Sequence, residues 1–186
     1  MNTTLVAQRY AHALFQLALE MGAVEEVYQD SKLISKTCEE SRDLRLLLKS
    51  PIVHGEKKLS IITAIFSAAL NPITFTYLKI MVRKRRESYI REIAAQFVEV
   101  YKEYKNILTV HFASPIKPGD ENRGLVLELM KRFTTANVEL IEEVNAELIG
   151  GFVLSWSDKQ YDASISREIQ EMRRAMAKVN LYKKEF

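Results

Sequence analysis

The 186-residue sequence predicts a mainly α protein, an N-terminal six-helix bundle over residues 1–105 followed by a small α+β domain over residues 106–186. Three observations carry this. Apolar residues recur at helical spacing through the first hundred positions. After Lys105 the pattern turns to alternation at 107–113 and 138–144, the two-residue period of half-buried strands, and Gly150-Gly151 leads into a third strand candidate at 152–156. Four of the six glycines and two of the four prolines lie at or after Pro115, where turns must multiply.

Taken in order, the first helix spans residues 4–21 and Gly22 ends it. Ala23 to about Glu39 forms the second, and Arg42–Lys49 a short third that stops near Pro51. A fourth covers roughly Glu56–Leu70. The fifth starts at Asn71-Pro72, since Asn at an N-cap with Pro at the first helical position is a start signal, and runs into Arg83, Lys84, Arg85 and Arg86. The sixth, from about Ser88 to Tyr104, carries Ile90, Ile93, Ala94, Phe97, Tyr101 and Tyr104 on one stripe. Beyond it Ile107–Ala113 reads as a strand, with Leu108, Val110 and Phe112 on one face. Asp120 is expected to cap a helix holding Leu125, Leu129, Met130 and Phe133. Val138–Val144 and Phe152–Trp156 supply two more strands, and Ile165, Ile169, Met172 and Met176 mark a last helix.

Twenty residues, Leu59–Leu78, carry no charge, which is the length of a membrane span. Ser60, Thr63, Ser67, Asn71, Thr74 and Thr76, with the helix start in the middle, argue instead for two helices meeting at Asn71.

Composition excludes several classes. The chain is 47% hydrophobic and 27% charged, average for a folded soluble domain, with a net charge of +3. Residues 1–105 hold 16 basic and 12 acidic side chains and the remainder 11 and 12, so neither half has the basic excess of a nucleic-acid domain. The single cysteine, Cys38, permits no internal disulfide and no cysteine-based metal site, and suits a reducing compartment. It reads as a small core residue. The N-terminus resembles neither a secretory signal nor an Arg-rich presequence.

No catalytic or cofactor motif appears. None of the glycines begins a phosphate loop or a dinucleotide fingerprint, and no cofactor is expected. His12, His54 and His111 lack metal-ligand spacing and read as surface or packing residues. Asp158 and Asp162, with Ser164, could form a carboxylate pair, but Asp and Ser before a helix are better explained as caps. The run Arg83–Arg86 ends a helix, where cations offset the macrodipole, and aromatic residues for base stacking are not interleaved with it.

The anomaly is excess apolar surface on two helices. In the first, Gln8, Arg9, His12, Gln16 and Glu20 confine the polar side to about 120° at 100° per residue. The rest divides into a sub-face with Val6, Tyr10, Ala13, Leu14, Leu17 and Met21, and another with Ala7, Ala11, Phe15 and Ala18, whose small residues permit close helix approach. The fifth repeats this, with Ile73, Tyr77 and Ile80 on one side, Phe75, Leu78 and Val82 on the other and Met81 between. Two readings stand at this point: central bundle helices buried on most sides, or a groove for a partner helix.

Gln8-Arg9-Tyr10-Ala11-His12-Ala13-Leu14-Phe15, then Ser50-Pro51-Ile52 followed by Glu56-Lys57-Lys58, then Arg86 behind the fifth helix, resemble the delta subunit of the bacterial F-type ATP synthase. Gly150-Gly151-Phe152-Val153-Leu154 with Asp158, Asp162 and Ser164 is similar to that family's C-terminal signature. Arg85-Arg86 replaces the usual Gly-Arg, and Ala163 stands where Gly is usual; both bear on local turn geometry. The resemblance implies a non-catalytic stator subunit at the cytoplasmic face of a bacterial plasma membrane, peripheral and without its own span. Its first and fifth helices would form the groove for the N-terminal helix of an alpha subunit, with Tyr10, Ala11, Leu14, Tyr77, Ile80 and Met81 as candidate lining residues. Its C-terminal domain would hold the b subunits of the peripheral stalk. The alternative is a stand-alone helical adaptor that binds nucleic acid through Arg83–Arg86.

Overall fold

The computed structural model describes residues 3–182. The chain divides into two compact units, Met1–Lys105 and Asn106–Phe186. The first contains α1 (Thr3–Glu20), α2 (Val24–Glu40), α3 (Arg42–Lys49), α4 (Gly55–Phe66), α5 (Pro72–Arg83), a 3-10 turn (Glu87–Tyr89) and α6 (Ile90–Tyr104).

The longest helix of the second half of this unit, α6, packs along both α1 and α2. Ala7, Ala11 and Ala18 are fully buried, so α1 approaches closely on its small-residue sub-face, and Phe15 sets its ring 5.8 Å from Phe97 and 5.3 Å from Tyr104. Tyr104, expected on the buried stripe, keeps only that edge contact and is otherwise exposed. Gly22, at φ 66, ends α1: its N–H reaches Leu19 O at 3.2 Å while Ala23 N–H reaches Ala18 O at 2.9 Å. This is a Schellman motif, which satisfies carbonyls the helix leaves free. Ser41 then ends α2 and caps α3, its Oγ accepting from Leu44 N–H at 3.2 Å. Cys38 is buried, and burial pushes its thiol up to about 11.

The uncharged run resolves into two helices, although α4 stops at Phe66 and residues 67–70 form the turn. Asn71 caps α5 through Oδ1, which accepts from Ile73 N–H at 3.0 Å, and its own N–H donates to buried Asp30 at 2.9 Å. No helix among the described residues is long and apolar enough to cross a membrane. The 3-10 turn precedes α6, so that helix begins two residues later than its periodicity suggests.

The second unit contains β1 (Ile107–Ser114), α7 (Asp120–Met130), β2 (Asn137–Val144), β3 (Gly151–Trp156), β4 (Lys159–Ser164) and α8 (Ile165–Tyr182). The sheet order is β2-β1-β3-β4, with β1 and β2 parallel and the other pairs antiparallel. Val110, Phe112, Leu154 and Trp156 meet Val126 and Met130 of α7 in its core. Three local expectations are corrected. Gly119 is the N-cap of α7 and Asp120 lies inside its first turn, pairing with Arg123 at 2.7 Å. Phe133 falls beyond α7, its ring 5.7 Å from Trp156. Residues 159–164 form an edge strand, because Gly151 to Trp156 offers an unpaired edge that Lys159–Ser164 can join through a two-residue turn.

Candidate partner-binding site

The structure turns the small-residue sub-face of α1 inward, so the other sub-face points out. Leu17 and Met21 are exposed there, with Val6 and Tyr10 half-buried beside them. On α5, Thr74, Leu78, Met81 and Val82 face the core, leaving Ile73 and Tyr77 half-buried and Ile80 exposed. The two helices meet where the Tyr77 hydroxyl donates to Tyr10 O at 3.1 Å. Burial pushes the Tyr77 phenol well up, so it stays a donor throughout the ordinary pH range.

Of the six candidate lining residues, Tyr10, Tyr77 and Ile80 lie together on this outward side. Ala11 and Met81 have no exposed surface and Leu14 almost none, which makes them core packing and not surface. Val6, Leu17, Met21 and Ile73 complete the apolar face. The sequence shows Val6, Leu17 and Met21 as one of two apolar sub-faces of α1; that this one stays open follows from α6 packing against Ala7, Ala11 and Ala18.

The second unit has its own unused apolar surface. Ile165, Ile169, Met172 and Met176 form an exposed stripe along α8, at the alternating spacing of four and three residues that a helix partner reads. A separate cavity of about 540 Å³ opens between β1 and α7, with Phe112, Ile116, Leu125 and Phe152 among its walls.

The residues with chemical potential serve local structure. Asp162 Oδ1 accepts from Ser164 N–H at 2.9 Å and Ser164 Oγ accepts from Arg167 N–H at 3.2 Å, which caps α8. The Ser164 hydrogen bonds hold the Asp162 carboxyl below its usual range. Asp158 sits in the exposed turn between β3 and β4. His111 pairs with Glu143 at 3.2 Å on the open side of the sheet. Among the described residues no cluster of three His, Cys, Asp or Glu side chains could hold a metal. Within Arg83–Arg86, Arg83 is in the last turn of α5, Arg85 adopts φ 57 and Arg86 is half-buried.

Two compact units, each with an exposed apolar helix face beyond what its own core uses and no metal cluster among the described residues, define a protein of scaffold type. The sequence model described as "ATP synthase delta (OSCP) subunit" matches residues 6–176. The chain is similar to the ATP synthase subunit delta of Carboxydothermus hydrogenoformans, 34% identical over 176 residues covering 95% of this chain and 99% of the relative. It is similar also to that of Christiangramia forsetii, 34% identical over 182 residues and 98% of each chain. In fold it resembles a chain of the cryo-EM structure of the Toxoplasma gondii mitochondrial ATP synthase hexamer, with a TM-score of 0.69 at 22% identity, covering 92% of this chain and 97% of that one. The chain belongs to the ATP synthase delta (OSCP) subunit family. The nucleic-acid adaptor alternative finds no support in these relatives.

Proposed function

We propose that this chain is the stator subunit that joins the catalytic head of an F-type ATP synthase to its peripheral stalk, without catalysis of its own. The observation that carries the reading is the open apolar face shared by α1 and α5, bridged at Tyr77–Tyr10, in a chain of this family. The N-terminal helix of an alpha subunit lies against Val6, Tyr10, Leu17, Ile73, Tyr77 and Ile80. The b subunits of the stalk engage the second unit along the stripe of α8. The protein works as a peripheral component at the cytoplasmic face of a bacterial plasma membrane. Held at both ends, it stops the head from turning with the rotor, so that torque deforms the catalytic sites.

A nanomolar joint corresponds to about −12 kcal/mol. Covering roughly 400 Å² of apolar groove supplies a gross ~10 kcal/mol at ~25 cal/mol per Å², so an affinity that tight needs contact beyond the groove. The test is calorimetric titration of an alpha-subunit N-terminal peptide into the whole chain and into Ile80→Asp and Leu17→Asp. Both positions are exposed, so the variants keep the fold. A carboxylate stranded in an apolar contact should weaken binding by at least about tenfold. Equal affinity for all three proteins would remove the groove from the interface.

A further inference from the structure

A second cavity in the first unit, of about 890 Å³, lies between the N-terminus of α4 and the C-terminus of α5. Its walls carry four cations, Lys49, Lys58, Arg83 and Arg85, against two carboxylates, Glu56 and Glu87. Lys58 is internally occupied: its Nζ donates to Leu48 O at 3.1 Å and to Glu87 Oε1 at 2.7 Å, and the side chain is 3% exposed. The side chains of Lys49, Arg83 and Arg85 make no hydrogen bond or ion pair with any described residue. The other oxygen of Glu87, Oε2, is buried and accepts nothing from the described residues. His54 offers α4 no side-chain cap.

Arg85 adds an independent observation. It occupies the left-handed position of a second Schellman motif, at φ 57, with Arg85 N–H to Val82 O at 3.0 Å and Arg86 N–H to Met81 O at 2.9 Å. Gly22 fills the same position after α1 without strain. A guanidinium is thus kept at a backbone position that favours glycine, on the wall of a cavity whose unpaired cations, Lys49, Arg83 and Arg85, outnumber its one unpaired carboxylate, Glu56. Strain retained at one residue points to use of its side chain.

We infer that this cavity takes an acidic polypeptide segment of a partner, a use that goes beyond the helix groove. The walls ask for two chemistries together. Unpaired guanidinium and ammonium groups call for carboxylates, whereas Pro51, Val53 and exposed Ile52 call for apolar side chains. A free inorganic anion meets only the first demand. A peptide that carries Glu or Asp beside apolar side chains meets both. Pro51 and Val53 on the wall, with Ile52 exposed between them, supply apolar contact for the rest of such a segment.

The probe is a short labelled peptide of alternating Ala and Glu, titrated at low salt into the whole chain with amide NMR detection. Binding tighter than about 1 mM is expected, with shifts confined to residues 49–56 and 83–88. Lys49→Gln combined with Arg85→Gly should weaken it by about tenfold or more while the thermal transition is retained, since glycine suits that φ. Ile80→Asp should leave this binding unchanged, which separates it from the groove. The inference is overturned by an absence of binding, by equal affinity in the double variant, by equal binding of the Ala-Gln peptide, by shifts elsewhere, or by inorganic phosphate displacing the peptide at equal concentration.

Discussion

Arg85 permits a sharp test of how α5 ends. The Schellman motif requires a left-handed residue after the C-cap, and a side chain with a Cβ costs about 1–2 kcal/mol there. Glycine avoids this cost but loses about 0.4–1 kcal/mol through the greater freedom of its unfolded chain. Comparing Arg85→Gly directly with Arg85→Ala removes the charge equally from both, so effects on the helix dipole and on Arg83, Lys84 and Arg86 cancel. Glycine should then be the more stable by about 1 kcal/mol, or about 4–8 °C in the midpoint of a unit this size. The reciprocal change, Gly22→Ala, should lower stability by a similar amount, because a Cβ there meets nothing within 4 Å and only φ is at stake. Scanning calorimetry that follows the helical unit's transition is the assay. If Arg85→Ala equals or exceeds Arg85→Gly, the strain assigned to this turn is absent and the motif is held by other contacts.

Lys58→Met should destabilise the helical unit by about 3–5 kcal/mol, because Glu87 would be left charged and largely enclosed; chemical denaturation reads this directly. Gly151→Ala should cost the second unit about 2–5 kcal/mol, since φ is 78 and a Cβ would lie 2.2 Å from Ala163 O, a backbone atom that cannot move aside. The first unit's calorimetric transition should stay where it is. Acid should loosen the second unit: hydrogen bonds hold the Asp162 and Glu142 carboxyls below their usual range, Asp162 through Ser164 and Glu142 through Arg123. Depressed folded values mean stability that is present above about pH 4 and lost as pH falls through them. Asp162→Asn should flatten that pH dependence, and an unchanged acid profile would show that the cap does not contribute.

What was legible in the sequence was mostly local chemistry. Asn71-Pro72 marks the start of α5 because capping and a fixed φ act within three residues, and the structure forms that bond. The helical stripe of α6 and the alternation of β1 are equally local signals. The misses are non-local. Lys159–Ser164 has little strand preference of its own and is held by its pairing with β3 at the sheet edge. Lys58, one of the charged trio Glu56-Lys57-Lys58, is buried because Glu87, 29 positions away, is carried to it by the turn after α5. The departure at Ala163 proves harmless for a similar reason: the residue pairs with Phe152 inside a strand, and the positive φ falls at Gly151 instead. Groove composition was visible as two apolar sub-faces on α1, but choosing the outward one required knowing that α6 takes the alanine side.

If the first unit carries load from a helix in the groove, the packing sets the route that load takes within it. A pull on α1 passes to α6 through the contact of Ala7, Ala11 and Ala18 and through Phe15 against Phe97, a close-packed joint with little room to slip. It then reaches the last turn of α6, where most helices fray. Here that turn is clamped to α2: Tyr101 OH donates to Glu25 at 2.5 Å, Lys105 Nζ meets the other Glu25 oxygen at 2.6 Å, and Tyr28 stacks on Tyr101 at 3.8 Å. Burial, followed by the Glu25 contact, pushes the Tyr101 phenol up to about 12, so this donor persists at any physiological pH. Lys105 is the last residue of the helical unit, and Asn106 leaves it at φ 51. The clamp therefore holds the last turn of the helical unit against α2. Glu25→Gln should leave groove affinity unchanged while raising amide exchange in the final turn of α6. A variant whose exchange stayed at the native rate would show that stacking of Tyr28 on Tyr101 alone secures that end.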